Sequence, residues 1–284
     1  MRTDAIETVG KSVLQYGPEN DRVYLMKLAE EDLPEIINSV DSLATLHNYS
    51  KAFVKVPESA QALFVEHGYR VEAKIPGLFN RLEDGFFMAR YFHADRLIDY
   101  DADKVTKVLE TADTKAEQCR HVDLPANSIC RLANPHHCQE MANLYQQTFA
   151  SYPFPIHNPE YLASTMAENV LYAGIWKGNQ LLALASAEID HQNSNAELTD
   201  FATDPDWRGH GLANALLQYL EMELQLSAIK TCYTIARATS FGMNICFAQN
   251  GYQFAGTLVK NTQIAGKLES MNVWHKSLEA EENV

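Results

Sequence analysis

Apolar and polar residues in the first hundred positions follow the periods of short strands and helices. Residues 5–28 alternate apolar and polar side chains around the turn-forming segment GPEND, which predicts a β-hairpin. Apolar residues in 30–47 recur at helical spacing. KAFVKV and FFMARYF are typical of strands, and PESAQALFVEHGY between them is typical of a helix that begins at a proline and ends at a glycine. These patterns predict a small α/β unit.

The rest of the chain alternates strands and helices in a similar way. Residues 170–190 predict a hairpin that turns at Lys-Gly-Asn, because Gly and Asn tolerate positive φ. Residues 151–159 contain three prolines and predict an irregular loop. Helices are predicted over residues 134–150, 160–169, 211–226 and 240–250, and strands over 195–203, 230–238 and 269–278. The expected fold is therefore α/β, with an α+β mixed sheet.

A polar, charged stretch separates the two parts. Residues 100–127 predict a helical linker, so we expect one domain at residues 1–122 and a second at 123–284. FVEHGYRVEA (residues 64–73) and FAQNGYQFAG (residues 247–256) share a helix end, a Gly-Tyr pair and a following strand. This similarity makes the first domain a candidate degenerate relative of the second, with chance as the competing explanation.

Composition and charge narrow the classes of partner. The chain has 284 residues and a net charge of −14, without a cluster of Lys and Arg. Nucleic acid and anionic membrane are therefore not expected as partners, whereas a small cationic substrate suits an acidic protein. The acidic surface is also explained by solubility alone. Five cysteines without a C-x-x-C pair, and a first segment without an apolar run, predict a cytoplasmic protein with reduced thiols. A homodimer stays open.

The segment DPDWRGHGLANA, between a strand and a helix, is the main candidate for ligand binding. Gly209 and Gly211 allow a tight turn that exposes backbone N–H groups at the start of the helix, where the helix dipole favours an anion. Arg208 adds a positive charge, so a pyrophosphate is the expected guest. The spacing differs from G-x-G-x-x-G and from the P-loop, and a plain tight turn is the alternative.

Residues 208–213, RGHGLA, resemble the coenzyme A motif Q/R-x-x-G-x-G/A of the GNAT acetyltransferase superfamily, and the elements from 134 to 278 resemble a complete GNAT domain. Further segments are similar to the β-lysine N-acetyltransferases, namely SYPFPIHNPEYL, YTIARATSFGMN, NTQIAGKLESMNVW, VKVPESA and GYRVEAKIPGLF. Those are two-part proteins that acetylate the ε-amine of β-lysine to give the osmolyte Nε-acetyl-β-lysine. The resemblance implies a C-terminal GNAT fold, preceded by a smaller GNAT-like domain, and acetyl-CoA as cosubstrate.

The resemblance also implies a cofactor-binding set. The loop amides would hold the pyrophosphate, the preceding strand would pair with the pantetheine arm and supply an oxyanion donor from residue 202 or 203, and Asn244 is a candidate partner of that arm. Many relatives protonate the leaving thiolate with a tyrosine where this chain has Phe247, so solvent or Tyr252 would have to replace it. The loop and strand residues are Phe201, Ala202, Thr203, Arg208, Gly209, His210, Gly211, Leu212 and Ala213.

An ammonium group has a pKa of about 10.4 and must lose a proton before it attacks a thioester. Glu197, on the strand before the loop, is the first choice of catalytic base, with Asp200 and Glu188 in reserve. Strand alternation predicts that Glu197 and Asp200 point to opposite faces. A non-catalytic acetyl-CoA sensor is the alternative of another class, and it would be indifferent to loss of the Glu197 charge.

β-Lysine carries two ammonium groups and one carboxylate. We expect Asp200, Glu188 and Glu269 to receive the ammonium groups, and Arg237 to receive the carboxylate. Tyr152 and Phe154 are expected to close over the alkyl chain. A polyamine or a protein lysine is an alternative acceptor, and the sequence does not decide whether the first domain shapes the acceptor site or an interface. No metal is expected, since the consecutive residues 136–138 diverge by about 100° around a helix.

Overall fold

A computed structural model describes residues 4–118, 123–150, 152–264 and 266–278. Thirteen strands form one mixed sheet, which confirms the predicted mixed α/β fold. The strands are β1 (Ala5–Val9), β2 (Ser12–Gly17), β3 (Arg22–Lys27), β4 (Lys51–Pro57), β5 (Arg70–Phe79), β6 (Glu83–Tyr91), β7 (Ser128–Leu132), β8 (Val170–Lys177), β9 (Gln180–Asp190), β10 (Asn195–Thr203), β11 (Thr231–Arg237), β12 (Gln253–Ile264) and β13 (Lys267–Ser277). The helices are α1 (Glu35–Leu46), α2 (Glu58–Glu66), α3 (Ala102–Ala116), α4 (Cys138–Thr148), α5 (Pro159–Glu168), α6 (Leu212–Leu226) and α7 (Phe241–Gln249).

The six strands of the first half repeat the topology of six of the seven strands of the second half, which adds β7 at its edge. The strand order is β1-β2-β3-β4-β6-β5-β12-β13-β11-β10-β9-β8-β7. In the first half the parallel strands β3 and β4 are connected by α1. In the second half the parallel strands β10 and β11 are connected by α6 in the same way. Each half then adds a helix and an antiparallel hairpin, β5–β6 or β12–β13. The two similar sequence segments therefore lie on equivalent elements, the end of α2 with β5 and the end of α7 with β12.

The halves meet at the edge strands β5 and β12, where the backbone pairing is short. Ala73 and Gly256 are the paired residues. Side chains supply most of the polar contact, because three buried cations of the first half donate to consecutive carbonyls of an irregular stretch in β12, residues 259–261. These cations are Lys51 (to Val259, 2.8 Å), Arg96 (to Lys260, 2.9 Å) and Arg22 (to Asn261).

Apolar packing also crosses between the halves. Phe53 and Phe87 of the first half share a fully buried cluster with Tyr233 and Val273 of the second. Separate clusters lie under α1 and α2 in the first half and around α6 and α7 in the second. Burial of apolar surface between the halves favours their association, since each exposed cluster would cost free energy in water.

Three predictions about elements need correction. Residues 5–28 form three strands rather than one hairpin, because Gly10 (φ 63°) makes an additional turn between β1 and β2. The prediction has no strand at β7, which directly follows the predicted linker and lies at the far edge of the sheet. The helix of the predicted linker, α3, is not a free connector, since it packs on α7 and buries Ala112 in the core of the second half. The predicted boundary adjoins residues 119–122, which lie outside the described residues.

Candidate active site

The central cleft opens where two parallel strands separate. β10 and β11 pair only from Asn195 with Thr231 to Glu197 with Tyr233. Beyond this point the β11-facing edge of β10 has no strand partner. On the other edge, the pairing of β10 with β9 is interrupted between Thr199 and Ala202. Backbone polar groups are thus available in the cleft, as expected for a strand that pairs with an extended ligand arm.

Two adjoining cavities occupy this cleft. The first, of about 220 Å³, is lined by β9, β10 and strands of the first half, and the second, of about 170 Å³, is lined by β10, β11 and α7. Both cavities are bounded by Tyr152, Pro153, Thr199, Asp200, Ile235, Thr262 and Met271. A group in one cavity can therefore lie next to a group in the other, with Tyr152 and Asp200 at their common wall.

Three predicted acids line the first cavity: Glu188, Glu197 and Asp200. Burial raises the pKa of Glu197, and Lys55 and the hydroxyl of Tyr233 oppose this shift. Glu188 is in contact with water, but its pKa is raised as well. The main cause is desolvation by the surrounding protein, and the negative charges of Glu197 and Asp200 add to it. Carboxyl groups with raised pKa values are suited to proton transfer near neutral pH.

Asp200 lies on the same cavity as Glu197, which corrects the predicted opposite orientation. Its backbone takes a left-handed conformation (φ 55°) within the bulge, and this breaks the alternation of side chains along the strand. Its carboxylate accepts hydrogen bonds from the hydroxyls of Tyr152, Ser186 (2.7 Å) and Thr199 (3.3 Å). Burial raises the pKa of Asp200, and these three hydroxyl donors oppose the increase.

The first half contributes two cations to the first cavity, which the sequence reasoning missed. Lys55 of β4 donates to the Tyr233 hydroxyl at 3.1 Å, and Arg22 of β3 is buried beside the rings of Tyr24 and Phe53. No local pattern distinguishes these residues from other strand cations. The pairing of sheet halves that are distant in sequence brings them to the acids.

The glycine-rich loop has the geometry expected of a phosphate-binding turn. Gly209 (φ 81°) and Gly211 (φ 76°) both take left-handed conformations, and Gly211 caps the N-terminus of α6. A Cβ atom at Gly209 would have no neighbour within 4 Å, so the space in front of the turn is open. Arg208 and His210 are exposed there, whereas Leu212 is buried and anchors the helix. The free N–H groups of the first helical turn fit a pyrophosphate.

The second cavity has an apolar wall. Phe201 and Phe247 pack edge to face with their ring centroids 5.7 Å apart, and both line this cavity. Tyr252 lines neither cavity and packs against Phe247 from behind, so it is not positioned to replace the missing tyrosine. Such an apolar channel fits the pantetheine part of a coenzyme A thioester. Ala202 and Thr203 continue β10 beyond the bulge, where they pair with β9.

Asn244 has different surroundings from those predicted. It is fully buried, and its amide donates to the carbonyls of Arg237 (3.0 Å) and Ser240 (2.6 Å). Its side-chain oxygen accepts from Asn272 and Trp274, both at 2.9 Å. The protein uses all four positions, so this side chain holds α7 against the sheet and has no capacity left for a ligand.

The two residues predicted to bind opposite ends of a diamino acid bind each other instead. Arg237 forms a bidentate ion pair with Glu269, at 2.8 and 2.6 Å. Arg237 is half-exposed on the second cavity, and Glu269 lines neither cavity. The two aromatic residues predicted to close over the acceptor do line the cleft. Phe154 lines the first cavity, and Tyr152 lines both cavities.

Among the described residues, no group of three or more His, Cys, Asp or Glu side chains is arranged to hold a metal ion. Across the same residues no helix is both long and apolar enough to cross a membrane.

Comparisons with known proteins agree with this geometry. The sequence model of the acetyltransferase (GNAT) family matches residues 138–252. The chain is 34% identical over 273 residues to a beta-lysine N(6)-acetyltransferase of Methanococcus maripaludis, covering 96% of this chain and 98% of that protein. It is 30% identical over 270 residues to the N-acetyltransferase YodP of Bacillus subtilis, covering 94% and 96%. A beta-lysine N(6)-acetyltransferase of Methanosarcina mazei is 38% identical over 175 residues, covering 62% and 65%.

Proposed function

Because the chain belongs to the GNAT acetyltransferase family, with beta-lysine N(6)-acetyltransferases among its relatives, we propose that it acetylates the ε-amine of β-lysine. It is an acetyl-CoA-dependent N-acetyltransferase. The observation that carries the choice of acceptor is the first cavity, which is lined by four acids and shares a wall with the apolar second cavity. An ammonium group is attracted to the acids, and the wall brings it next to a thioester.

Acetyl-CoA supplies the acetyl thioester, held by the loop at Gly209 and Gly211 and by the unpaired edge of β10. Glu197 removes a proton from the ε-ammonium, directly or through a water molecule. The amine nitrogen then forms a bond to the acetyl carbon as the carbon–sulfur bond breaks, coenzyme A leaves as a thiolate, and the nitrogen releases its second proton to water to leave a neutral amide. This thiolate needs little assistance, because the pKa of a thiol is only about 8.5. Phe247 in place of tyrosine is therefore compatible with turnover.

Asp200 positions the acceptor in this proposal rather than acting as base. Three hydroxyl groups already donate to its carboxylate, which favours its ionised form. Its negative charge at the common wall attracts the distal ammonium group, and Tyr152 is fixed there by the same interaction. Glu188, which water reaches, has a pKa raised by burial and by the charges of Glu197 and Asp200, and in this proposal it meets cationic acceptors at the entrance.

The small size of the first cavity favours a small acceptor. Its volume of about 220 Å³ is below the range of typical drug-sized ligand sites, and residues from both halves surround it. A protein lysine would require an open groove along the cleft. In this proposal the product, Nε-acetyl-β-lysine, accumulates as an osmolyte.

The test is the release of free coenzyme A, measured with a thiol reagent, across β-lysine, α-lysine, spermidine and a lysine peptide. We expect turnover to be fastest with β-lysine and to fall by roughly 100-fold or more in Glu197→Gln, since a general base contributes about that factor. Glu110→Gln, an exposed glutamate on α3, is the matched control and should leave the rate unchanged. Acetyl-CoA binding without turnover on any amine would instead favour the sensor, and a fully active Glu197→Gln would exclude Glu197 as base.

A further inference from the structure

Arg22 is a buried cation with an unused hydrogen-bonding edge. Only 5% of the residue is exposed, and it lines the first cavity. Its Nη1 donates to the carbonyl of Asn261 and, at 3.4 Å, to the hydroxyl of Thr262. Its Nε is buried without a hydrogen-bond partner, and among the described residues no acceptor is bonded to Nη2. Nε and Nη2 together form the edge of a guanidinium that binds a carboxylate with two parallel hydrogen bonds.

The charge of Arg22 is only partly compensated, since Asp4 and Glu197 favour its charged form without forming an ion pair with it. No carboxylate in the described part of the chain forms an ion pair with it, whereas the neighbouring buried cations Lys51 and Arg96 are paired with Glu72 (2.8 Å) and Asp21 (3.0 Å). The rings of Tyr24 and Phe53 lie 5.2 and 5.6 Å from the guanidinium and offer only partial compensation. A buried, unpaired charge is costly, so its retention here points to a ligand that completes the pair.

We infer that the Nε–Nη2 edge of Arg22 binds the carboxylate of the acceptor, so that the first half of the chain determines selectivity for an amino acid over a simple amine. This inference rests on the proposed function. It replaces Arg237, whose guanidinium is already occupied by Glu269. The cavity then has a cationic end at Arg22 and an acidic end at Asp200, which matches the carboxylate and the distal ammonium of a diamino acid.

Asn261, next to Arg22, provides a second unpartnered group. It is 2% exposed, it lines the first cavity, and its side-chain oxygen has no hydrogen-bond donor. Because its backbone carbonyl is bound to Arg22, its side chain is fixed close to the proposed carboxylate position. The β-ammonium lies two carbons from the carboxylate carbon in β-lysine, so Asn261 is the residue we assign to that ammonium.

The experiment compares β-lysine with two analogues that each lack one group. 1,4-Diaminopentane is β-lysine without its carboxylate, and 6-aminohexanoate is β-lysine without its β-ammonium. In Arg22→Gln we expect kcat/KM to fall roughly 100-fold for β-lysine and 6-aminohexanoate, because a charge-assisted bidentate contact is lost. We expect less than a threefold change for 1,4-diaminopentane. In Asn261→Ala we expect instead a fall in the ratio of kcat/KM for β-lysine to kcat/KM for 6-aminohexanoate.

Arg96→Gln is the matched control, since Arg96 is equally buried in the same interface but each nitrogen of its guanidinium has an acceptor, from the Asp21 carboxylate, the Ser50 hydroxyl and the carbonyls of Asn20, Asp21 and Lys260. This substitution should lower the stability of the protein without changing the ratio of kcat/KM for β-lysine to kcat/KM for 1,4-diaminopentane. A ratio that is unchanged in Arg22→Gln, or an equal loss on all three acceptors, overturns the inference.

Binding separates this inference from the proposed function. β-Lysine is titrated calorimetrically into protein saturated with coenzyme A. If wild-type protein does not acetylate β-lysine, but binds it in a manner weakened by Arg22→Gln and not by Arg96→Gln, the proposed function fails and the carboxylate site stands. If binding is insensitive to Arg22→Gln, the carboxylate site fails whatever the turnover.

Discussion

Buried polar side chains in this protein differ in how much of their hydrogen-bonding capacity the protein itself uses. Asn244 and Arg96 are saturated and hold elements together. Arg22 and Asn261 retain buried atoms without partners, and both line the first cavity. Since an unpartnered buried group costs free energy, the second kind marks places where a ligand is expected. The same residue types thus serve structure in one place and recognition in another.

Lys55 controls the protonation of the acid cluster. Its positive charge lowers the pKa of both Glu197 and Glu188, against the increase caused by burial. In Lys55→Met this stabilisation of the carboxylates is removed, so their pKa values rise further. The base must be ionised to act, and we expect the acidic limb of the pH profile of kcat/KM to move toward higher pH by about one unit.

The measurement is kcat/KM for β-lysine between pH 5 and 9 in wild type and Lys55→Met. Lys74→Met is the control, because Lys74 on β5 pairs with Asp84 on β6 and lies outside both cavities. A limb that stays in place, or moves toward lower pH, would contradict a Glu197 base coupled to Lys55.

At the residue scale, the sequence predicted three of the four acids of the first cavity, all except Asp190, but not their partners. Glu197 and Asp200 were identifiable because they precede a recognisable loop on the same strand. Arg22 and Lys55 are separated from them by more than a hundred positions, and only the sheet brings them together. The predicted roles of Arg237 and Asn244 were wrong for a related reason. Nothing in the local sequence indicated that Glu269 would bind Arg237 or that Trp274 would bind Asn244.

At the scale of elements, the turn before α6 is the part that we propose holds the acetyl donor. Both Gly209 and Gly251 take φ near 80°, and at both an added Cβ would have no neighbour within 4 Å. Alanine in a left-handed conformation costs about 1 kcal/mol in either case. Only at Gly209 does the new methyl group enter the space where the pyrophosphate would approach the helix amides.

We therefore expect Gly209→Ala to raise the KM for acetyl-CoA by roughly tenfold or more, while the KM for the acceptor stays unchanged. Gly251→Ala, at the end of α7, should lose similar stability without a change in either constant. The measurement is initial-rate kinetics for both substrates, with thermal unfolding of each variant. Equal effects of the two substitutions on the KM for acetyl-CoA would exclude a direct role of the loop.

Elements were predictable where a period or a turn residue defines them, as in α6 and the β8–β9 hairpin. They were not predictable where tertiary pairing decides. β7 is short and half-buried, and it exists because β8 provides an edge for it. The bulge at Asp200 has no glycine to signal it, and its surroundings hold the strained backbone in place through Tyr152, Ser186 and Thr199.

At the scale of the whole molecule, the shared cluster of Phe53 and Val273 and the packing of α3 on α7 couple the two halves. All three tryptophans, Trp176, Trp207 and Trp274, belong to the second half. Leu25, in contrast, is fully buried in a cluster formed only by the first half. Tryptophan fluorescence therefore reports whether damage in one half is transmitted to the other.

We expect Leu25→Ala, which costs about 2–5 kcal/mol as a large-to-small core substitution, to lower the denaturant midpoint seen by tryptophan fluorescence and by far-UV circular dichroism equally. Leu82→Ala is the control, because Leu82 is 90% exposed in the same half and its loss should leave both midpoints unchanged. If the dichroism signal splits while the fluorescence midpoint stays at its wild-type value, the halves unfold independently. One shared transition would mean that the two halves unfold together, so that Arg22 and Lys55 stay next to the acids as long as the whole sheet is folded. Substitutions far from the cleft would then reduce acceptor binding only when they unfold the protein.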